Sequence, residues 1–102
     1  MFVILWEFEV KYGYQTGFEN AYGLQGPWVK LFRHDPHYRG TQLLRDSLRE
    51  GIYFTLDFWD SETDYQNFQK ENREVYAETD RETESLTVSE RLIASFPVAE
   101  KS

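Results

Sequence analysis

"IYFTLDFWDSETDYQNF", residues 52–68, reads as a strand that runs into a helix. Ile52, Phe54, Leu56 and Phe58 share one parity, and Tyr53, Thr55, Asp57 and Trp59 share the other, so each set lies on one face of the strand. Both faces carry large apolar side chains, which places the strand inside a sheet covered on both sides. Asp57 alone breaks that pattern with a charge. Ser61 is placed to cap the next helix, and Asp64 three residues on completes a variant of the capping box. Tyr65, Phe68, Asn72, Val75, Thr79 and Leu86 mark the inner stripe of that helix. The stripe weakens at Asn72 and Thr79, which predicts a break near 70–72 or 79–82.

Upstream, "GTQLLRDSLREG" (40–51) reads as a second strand that joins the first through a short polar hairpin loop near 46–51. Phe2, Ile4, Trp6, Phe8 and Val10 alternate with Val3, Leu5, Glu7, Glu9 and Lys11, the clearest period of two in the chain. "YGYQTG" (12–17) follows as a turn, with Thr16 a candidate helix cap. Phe18, Tyr22, Gln25, Trp28, Val29 and Phe32 then recur at helical spacing, predicting a helix over roughly 16–34. Gly26-Pro27 falls inside it, so the helix must kink or restart with Pro27 in a new first turn. "TVSERLIASFPV" (87–98) supplies a last strand over Leu92 to Val98.

The order is β-α-β-β-α-β in a single domain, residues 1–102. That is the α+β, ferredoxin-like arrangement with a four-stranded antiparallel sheet. Two helices can cover only one face of such a sheet. The other face keeps several Phe and Leu side chains, and burying each is worth about 1.5–3 kcal/mol. A patch of that kind is larger than soluble monomers ordinarily expose. The economical cover is a second copy, sheet against sheet, which predicts a homodimeric α+β barrel.

Composition excludes several function classes. The net charge is −7, and residues 60–90 hold ten acids against Lys70, Arg73 and Arg81, so this segment carries the whole excess. No basic stripe exists to neutralise phosphates, which argues against nucleic acid as a partner. The acidic stretch reads as a solvated helix face, with a surface for a basic partner the alternative. The longest apolar run, Phe2 to Trp6, is too short to span a bilayer, so no membrane association is expected. With no cysteine and no basic leader, a cytoplasmic setting is the default expectation.

Four stretches together resemble the antibiotic biosynthesis monooxygenase family of dimeric α+β barrels: "FVILWEFEVKYG" (2–13), "GPWVKLFRHDPHYRGTQLL" (26–44), "YFTLDFWDSETDYQNF" (53–68) and "LTVSERLIASF" (86–96). The more specific parts are the Trp28–Leu31–Phe32 block, Tyr38-x-Gly40-Thr41 and Asp57-x-Trp59-x-Ser61. The resemblance implies a homodimer with a pocket in each subunit between helices and sheet. It also implies cofactor-independent oxygenation of phenolic compounds, or else a non-catalytic or stress-related protein of the same fold that binds a small ligand. The haem-degrading branch places an Asn on the first strand, a Trp on the third and a His on the second helix. Trp59 matches, but Phe2 to Lys11 contains no Asn and no histidine follows His37, so haem breakdown is not expected.

Within that frame, Asp57, Trp59, Tyr38 and His37 are the candidate catalytic residues. A carboxylate among aromatics must be paired, or its pKa rises toward that of a useful base. Asp57 is therefore either a group that takes a proton from a phenol or half of an ion pair with Arg45 or Arg39. Tyr22, Trp28, Phe32, Tyr53, Tyr65 and Phe68 are candidate ligand-binding rings, although at this helical and strand spacing most of them read first as core. His34, Asp35 and His37 in "RHDPHYRG" have the donor types of a metal site, yet they sit in a helix-ending turn where polar residues are ordinary. No metal is assigned. No phosphate loop or nucleophile motif is present, so no cofactor is expected and the substrate must supply the electrons for any oxygen chemistry.

Overall fold

The computed structural model describes residues 1–99. Its elements are β1 (Phe2–Val10), α1 (Gln15–Tyr22), α2 (Pro27–Phe32), β2 (Tyr38–Arg45), β3 (Ile52–Trp59), α3 (Glu62–Glu71), α4 (Arg73–Thr83), a short 3-10 turn and β4 (Thr87–Pro97). The four strands form one antiparallel sheet in the order β2-β3-β1-β4, the ferredoxin-like arrangement, with the helices on one face.

The parity of β3 is the axis of the fold. Tyr53, Thr55, Asp57 and Trp59 are all buried beneath the helices, while Ile52, Phe54, Leu56 and Phe58 lie on the open face and are only half-buried. Antiparallel pairing carries this parity across the sheet: Trp6 lies opposite Thr55 and Phe8 opposite Tyr53, and Thr41 lies opposite Asp57. The helix-side face packs Phe2, Ile4, Phe8, Val10, Tyr53 and Trp59 against Phe18, Tyr22, Trp28, Phe32 and Phe68. Most of these rings meet in tilted or edge-to-face pairs with centroids between 4.4 and 6.5 Å apart, geometries that favour the ring quadrupoles as well as the buried area.

The predicted helix over 16–34 is two helices. α1 begins one residue earlier, with Tyr14 at its N-cap and no side-chain cap, so Thr16 does not have the predicted role. α1 ends at Tyr22, and Pro27 opens α2 at its first position. Gly26 is required between them: a Cβ there would lie 2.1 Å from the Ala21 carbonyl oxygen. The turn therefore closes backbone to backbone, and only glycine fits.

Ser61 caps α3 as expected, accepting a hydrogen bond from the Asp64 backbone N–H at 3.1 Å. The long second helix breaks at Asn72, inside the predicted window. Asn72 closes α3 and opens α4, and its side-chain amide donates to the Phe68 carbonyl oxygen at 2.9 Å. The break resets the helical phase. Tyr76, Thr79 and Thr83 turn inward, and Val75, expected on the inner stripe, is 48% exposed. β4 starts at Thr87 rather than Leu92. Bulges opposite Leu5/Trp6 and Glu9/Val10 interrupt its alternation, which hides its first half from a period-two reading.

The open face keeps Leu44 and Phe96, each 42% exposed, beside the half-buried residues of β3. At one end of that face Glu7 accepts hydrogen bonds from both Arg91 and Arg49. Those two guanidiniums hold its carboxyl below the usual range. The hairpin loop is tied by Asp46, which accepts from the backbone N–H groups of Leu48 and Arg49.

Candidate functional site

A cleft opens between the sheet and the helices on the side of α4. Its floor is Trp6 and Phe8 from β1, Thr41 from β2, and Thr55 and Asp57 from β3. Tyr22, Trp28 and Phe32 form one wall, Tyr76 and Asp80 the other, and Glu90 of β4 stands at the mouth. The interior amounts to about 60 Å³, room for a few waters at about 10–15 Å³ each.

Asp57 is the deepest charged group, 8% exposed. The β2–β3 register sets Thr41 directly across from it, and the Thr41 hydroxyl donates to Asp57 Oδ1 at 2.7 Å. That is its one side-chain hydrogen bond among the described residues, and no cation reaches it. Arg39, a predicted ion-pair partner, is bound instead to Asp60 at 2.6 Å, and Arg45 forms no salt bridge there. Burial pushes the Asp57 carboxyl up to about 6, opposed only by the Thr41 hydrogen bond. Of the two readings open in the sequence, the structure removes the ion pair.

Tyr38 is joined to this group at one remove. Its hydroxyl is hydrogen-bonded to Thr41 Oγ1. Because the Thr41 proton is directed at Asp57, Tyr38 is the donor of that second bond. Tyr38, Thr41 and Asp57 thus form a hydroxyl relay ending on a buried carboxylate. Burial raises the Tyr38 pKa, and so does the charge of Asp57.

A second buried polar knot holds the aromatic wall. Thr83, 3% exposed, donates to the Thr79 carbonyl oxygen and accepts from the Trp28 indole N–H at 3.2 Å and the Tyr22 hydroxyl at 3.3 Å. Both rings are therefore oriented from α4, and burial pushes the Tyr22 pKa to about 12. Trp28 also meets Tyr76 edge-on, with centroids 5.0 Å apart.

The structure brings only some of the predicted residues to the cleft. Asp57, Tyr22, Trp28 and Phe32 line it. Trp59 does not: it is fully buried between Phe32, Tyr38, Tyr65 and Phe68. Its indole nitrogen is buried with no hydrogen-bond partner among the described residues. Tyr65 and Phe68 belong to that same layer, and Tyr53 packs on Phe18 with its hydroxyl donating to Glu19. These three are core rings rather than cleft rings. His37 is a surface group, its Nδ1 3.2 Å from Asp60 and its Nε2 3.6 Å from Asp64. It stands away from the cleft; its backbone N–H donates to Asp35 Oδ1 at 2.8 Å, but its ring faces Asp60 and Asp64 rather than the predicted His34 and Asp35. The donor atoms of His37, Asp60 and Asp64 all lie within 4.8 Å of one another on the surface, apart from the cleft.

Thr83, Tyr76, Asp80 and Glu90 escaped the sequence reading, which names Thr55 on the face of Asp57 and Thr41 in the Tyr38-x-Gly40-Thr41 block without assigning either to the site. For Thr41 a signal existed, since a hairpin centred on 46–51 pairs it with Asp57. Tyr76 and Asp80 depend on the phase reset at Asn72, and Glu90 on the bulged register of β4.

Among solved structures, the chain resembles SnoaB, a cofactor-independent oxygenase from Streptomyces nogalater, at 14% identity over 98% of this chain and 94% of that one, with a TM-score of 0.78. It also resembles MhuD, solved as a variant with two manganese protoporphyrin IX molecules per active site, at 20% identity over 100% and 98% of the two chains and a TM-score of 0.76. These likenesses establish the fold. α3 and α4 contain no histidine to ligate the metal of a porphyrin. No curated protein matches the chain. A family profile, antibiotic biosynthesis monooxygenase, matches residues 1–75, from β1 into the first turn of α4. The chain therefore belongs to the antibiotic biosynthesis monooxygenase family.

Proposed function

We propose that the protein is a cofactor-independent monooxygenase for a small phenolic substrate, with Asp57 as its base. The observation that carries this reading is Asp57 itself, a carboxylate on the floor of an aromatic cleft with one hydroxyl partner and no cation. A base with a pKa near 6 is ionised at neutral pH and still accepts a proton usefully, because general-base efficiency peaks when the pKa lies near the working pH. A phenol in the cleft donates its proton to Asp57 and leaves an electron-rich phenolate. The phenolate gives its electrons to dioxygen, one oxygen atom bonds to ring carbon, and the other leaves as water. Overall, phenol and dioxygen yield quinone and water, with no outside reductant.

Thr41 holds Asp57 in place, and Tyr38 extends the proton path toward solvent. Trp28 and Tyr22, fixed by Thr83, stack on the ring. Trp59 acts from behind, as the ring on which Phe32 and Tyr38 pack. The active form in this proposal is a homodimer that buries Leu44, Phe54, Leu56, Phe58 and Phe96 of the open sheet face, in a cytoplasmic setting. No helix among the described residues is long and apolar enough to cross a membrane.

Oxygen uptake with a panel of hydroquinones and anthrones tests the chemistry. Uptake that the wild type supports and the Asp57→Asn variant lacks is the expected result. No uptake with any member would place the protein with the non-catalytic ligand binders of this fold. Sedimentation tests the assembly: Leu56→Glu should convert a dimer into a folded monomer.

A further inference from the structure

The cleft is unusual in its charge. Besides Asp57 it is lined by Asp80 and Glu90, and no lysine, arginine or histidine lines it. Neither Asp80 nor Glu90 takes part in a salt bridge among the described residues. The two acids lie close enough that the charge of Asp80, after partial burial, raises the Glu90 carboxyl. Both also act on Tyr22, raising its pKa together with burial. Like charges held together at a half-dry rim, with no counter-charge supplied by the protein, leave a place for a cation. Asp57 adds a second, independent indication. It is more than nine-tenths buried on the floor of the same cleft, and its Oδ2 has no hydrogen-bond partner among the described residues.

The walls suit the same ligand. Trp28, Tyr22 and Tyr76 surround the space between floor and mouth, and the faces of such rings attract an ammonium group through their quadrupoles. Asp80 on α4 and Glu90 on β4 are also outside the 1–75 segment that the family profile matches. The acidic rim is therefore a feature of the C-terminal third of this chain.

We propose that the ligand of this cleft is a small organic cation, an aromatic ring bearing a protonated amine, with the ammonium group between Asp80 and Glu90 and the ring against the wall that Trp28 and Tyr22 form. This rests on the reading of the cleft as an aromatic-ligand site and adds the charge of the ligand. A phenolic amine meets both ends of the site: its hydroxyl donates to Asp57 at the floor, and its ammonium is held at the rim. An anionic ligand meets three carboxylates, Asp57, Asp80 and Glu90, and no cationic side chain in the lining.

Three probes of similar size separate the terms: tyramine (cation), 4-ethylphenol (neutral) and 3-(4-hydroxyphenyl)propionate (anion), each titrated by calorimetry at pH 7.5 into the full-length protein. Tyramine is expected to bind about tenfold more tightly than 4-ethylphenol, as two partly exposed charge contacts and a cation–π contact together imply. The propionate is expected to show no binding. Asp80→Asn and Glu90→Gln should each weaken tyramine about threefold and leave 4-ethylphenol unchanged, while Glu78→Gln, an exposed charge on α4 away from the cleft, should alter neither. Equal affinity for tyramine and 4-ethylphenol would overturn the cation assignment and leave the phenol reading standing. Failure of all three to bind would overturn both. Displacement of tyramine by millimolar magnesium chloride would show that the acids hold a metal, and would also overturn the assignment.

Discussion

Replacing Asp57 by Asn should make the protein more stable and less active at the same time. In the native state the carboxyl titrates near 6, against 3.8 for an ordinary aspartate. At 1.36 kcal/mol for each tenfold change in proton affinity, that difference corresponds to about 3 kcal/mol. The sign follows from proton counts. Between pH 4 and 6 the folded chain holds a proton that the unfolded chain has released, so this group's contribution falls as pH rises through the window. Below pH 4 both states are protonated and the penalty vanishes; above pH 6 it is complete. Asparagine keeps the shape and the acceptor for Thr41 but cannot ionise. Urea denaturation of both proteins from pH 4 to 8 isolates the effect, because titrations elsewhere cancel in the difference. Near pH 4 the two should be equally stable. At pH 7.5 the variant should be ahead by about 2–3 kcal/mol, a rise in Tm of roughly 10 °C or more for a chain of this length. A variant less stable than wild type at pH 7.5, or a difference that does not change with pH, would refute the reasoning. Asp57 would then have a partner that the present geometry does not contain.

Thr41→Val removes the one hydrogen bond that favours the charged form of Asp57, so the acid limb of the pH–rate profile should move to higher pH, read from oxygen uptake across pH 5–9. Thr83→Val strands the buried donors of Trp28 and Tyr22 and should cost about 1–3 kcal/mol in urea denaturation, with weakened ligand binding. Gly26→Ala sets a methyl group against the Ala21 carbonyl oxygen. It should destabilise by about 3 kcal/mol or more, since backbone rather than a flexible side chain must move. Circular dichroism melting would detect that loss directly.

Much of the fold is local information. The alternation in β1 and β3, the Ser61 cap, the turn at 46–51 and Pro27 as a helix start are each decided by neighbours in sequence, and each stands where it was expected. The face on which Asp57 lies was legible for the same reason: parity along a strand is a property of the chain. The failures share a cause as well. Tyr76 and Thr83 face inward because Asn72 breaks the helix at one residue rather than another, and a single-residue shift turns a helix face by about 100°. Trp59 and Asp57 point the same way, yet one ends under the rings of α2 and α3 and the other at the cleft, a distinction made by packing.

Sequence alone determined the α+β layer order, the apolar open face and the presence of a carboxylate among helix-side aromatics, because periodicity and capping act over a few residues. Tertiary structure decided which groups that carboxylate meets. Strand register gave Asp57 a threonine instead of an arginine, and helix phase with strand bulging brought Asp80 and Glu90 to the same opening. Those outcomes depend on which distant segments meet, and no local pattern encodes the meeting.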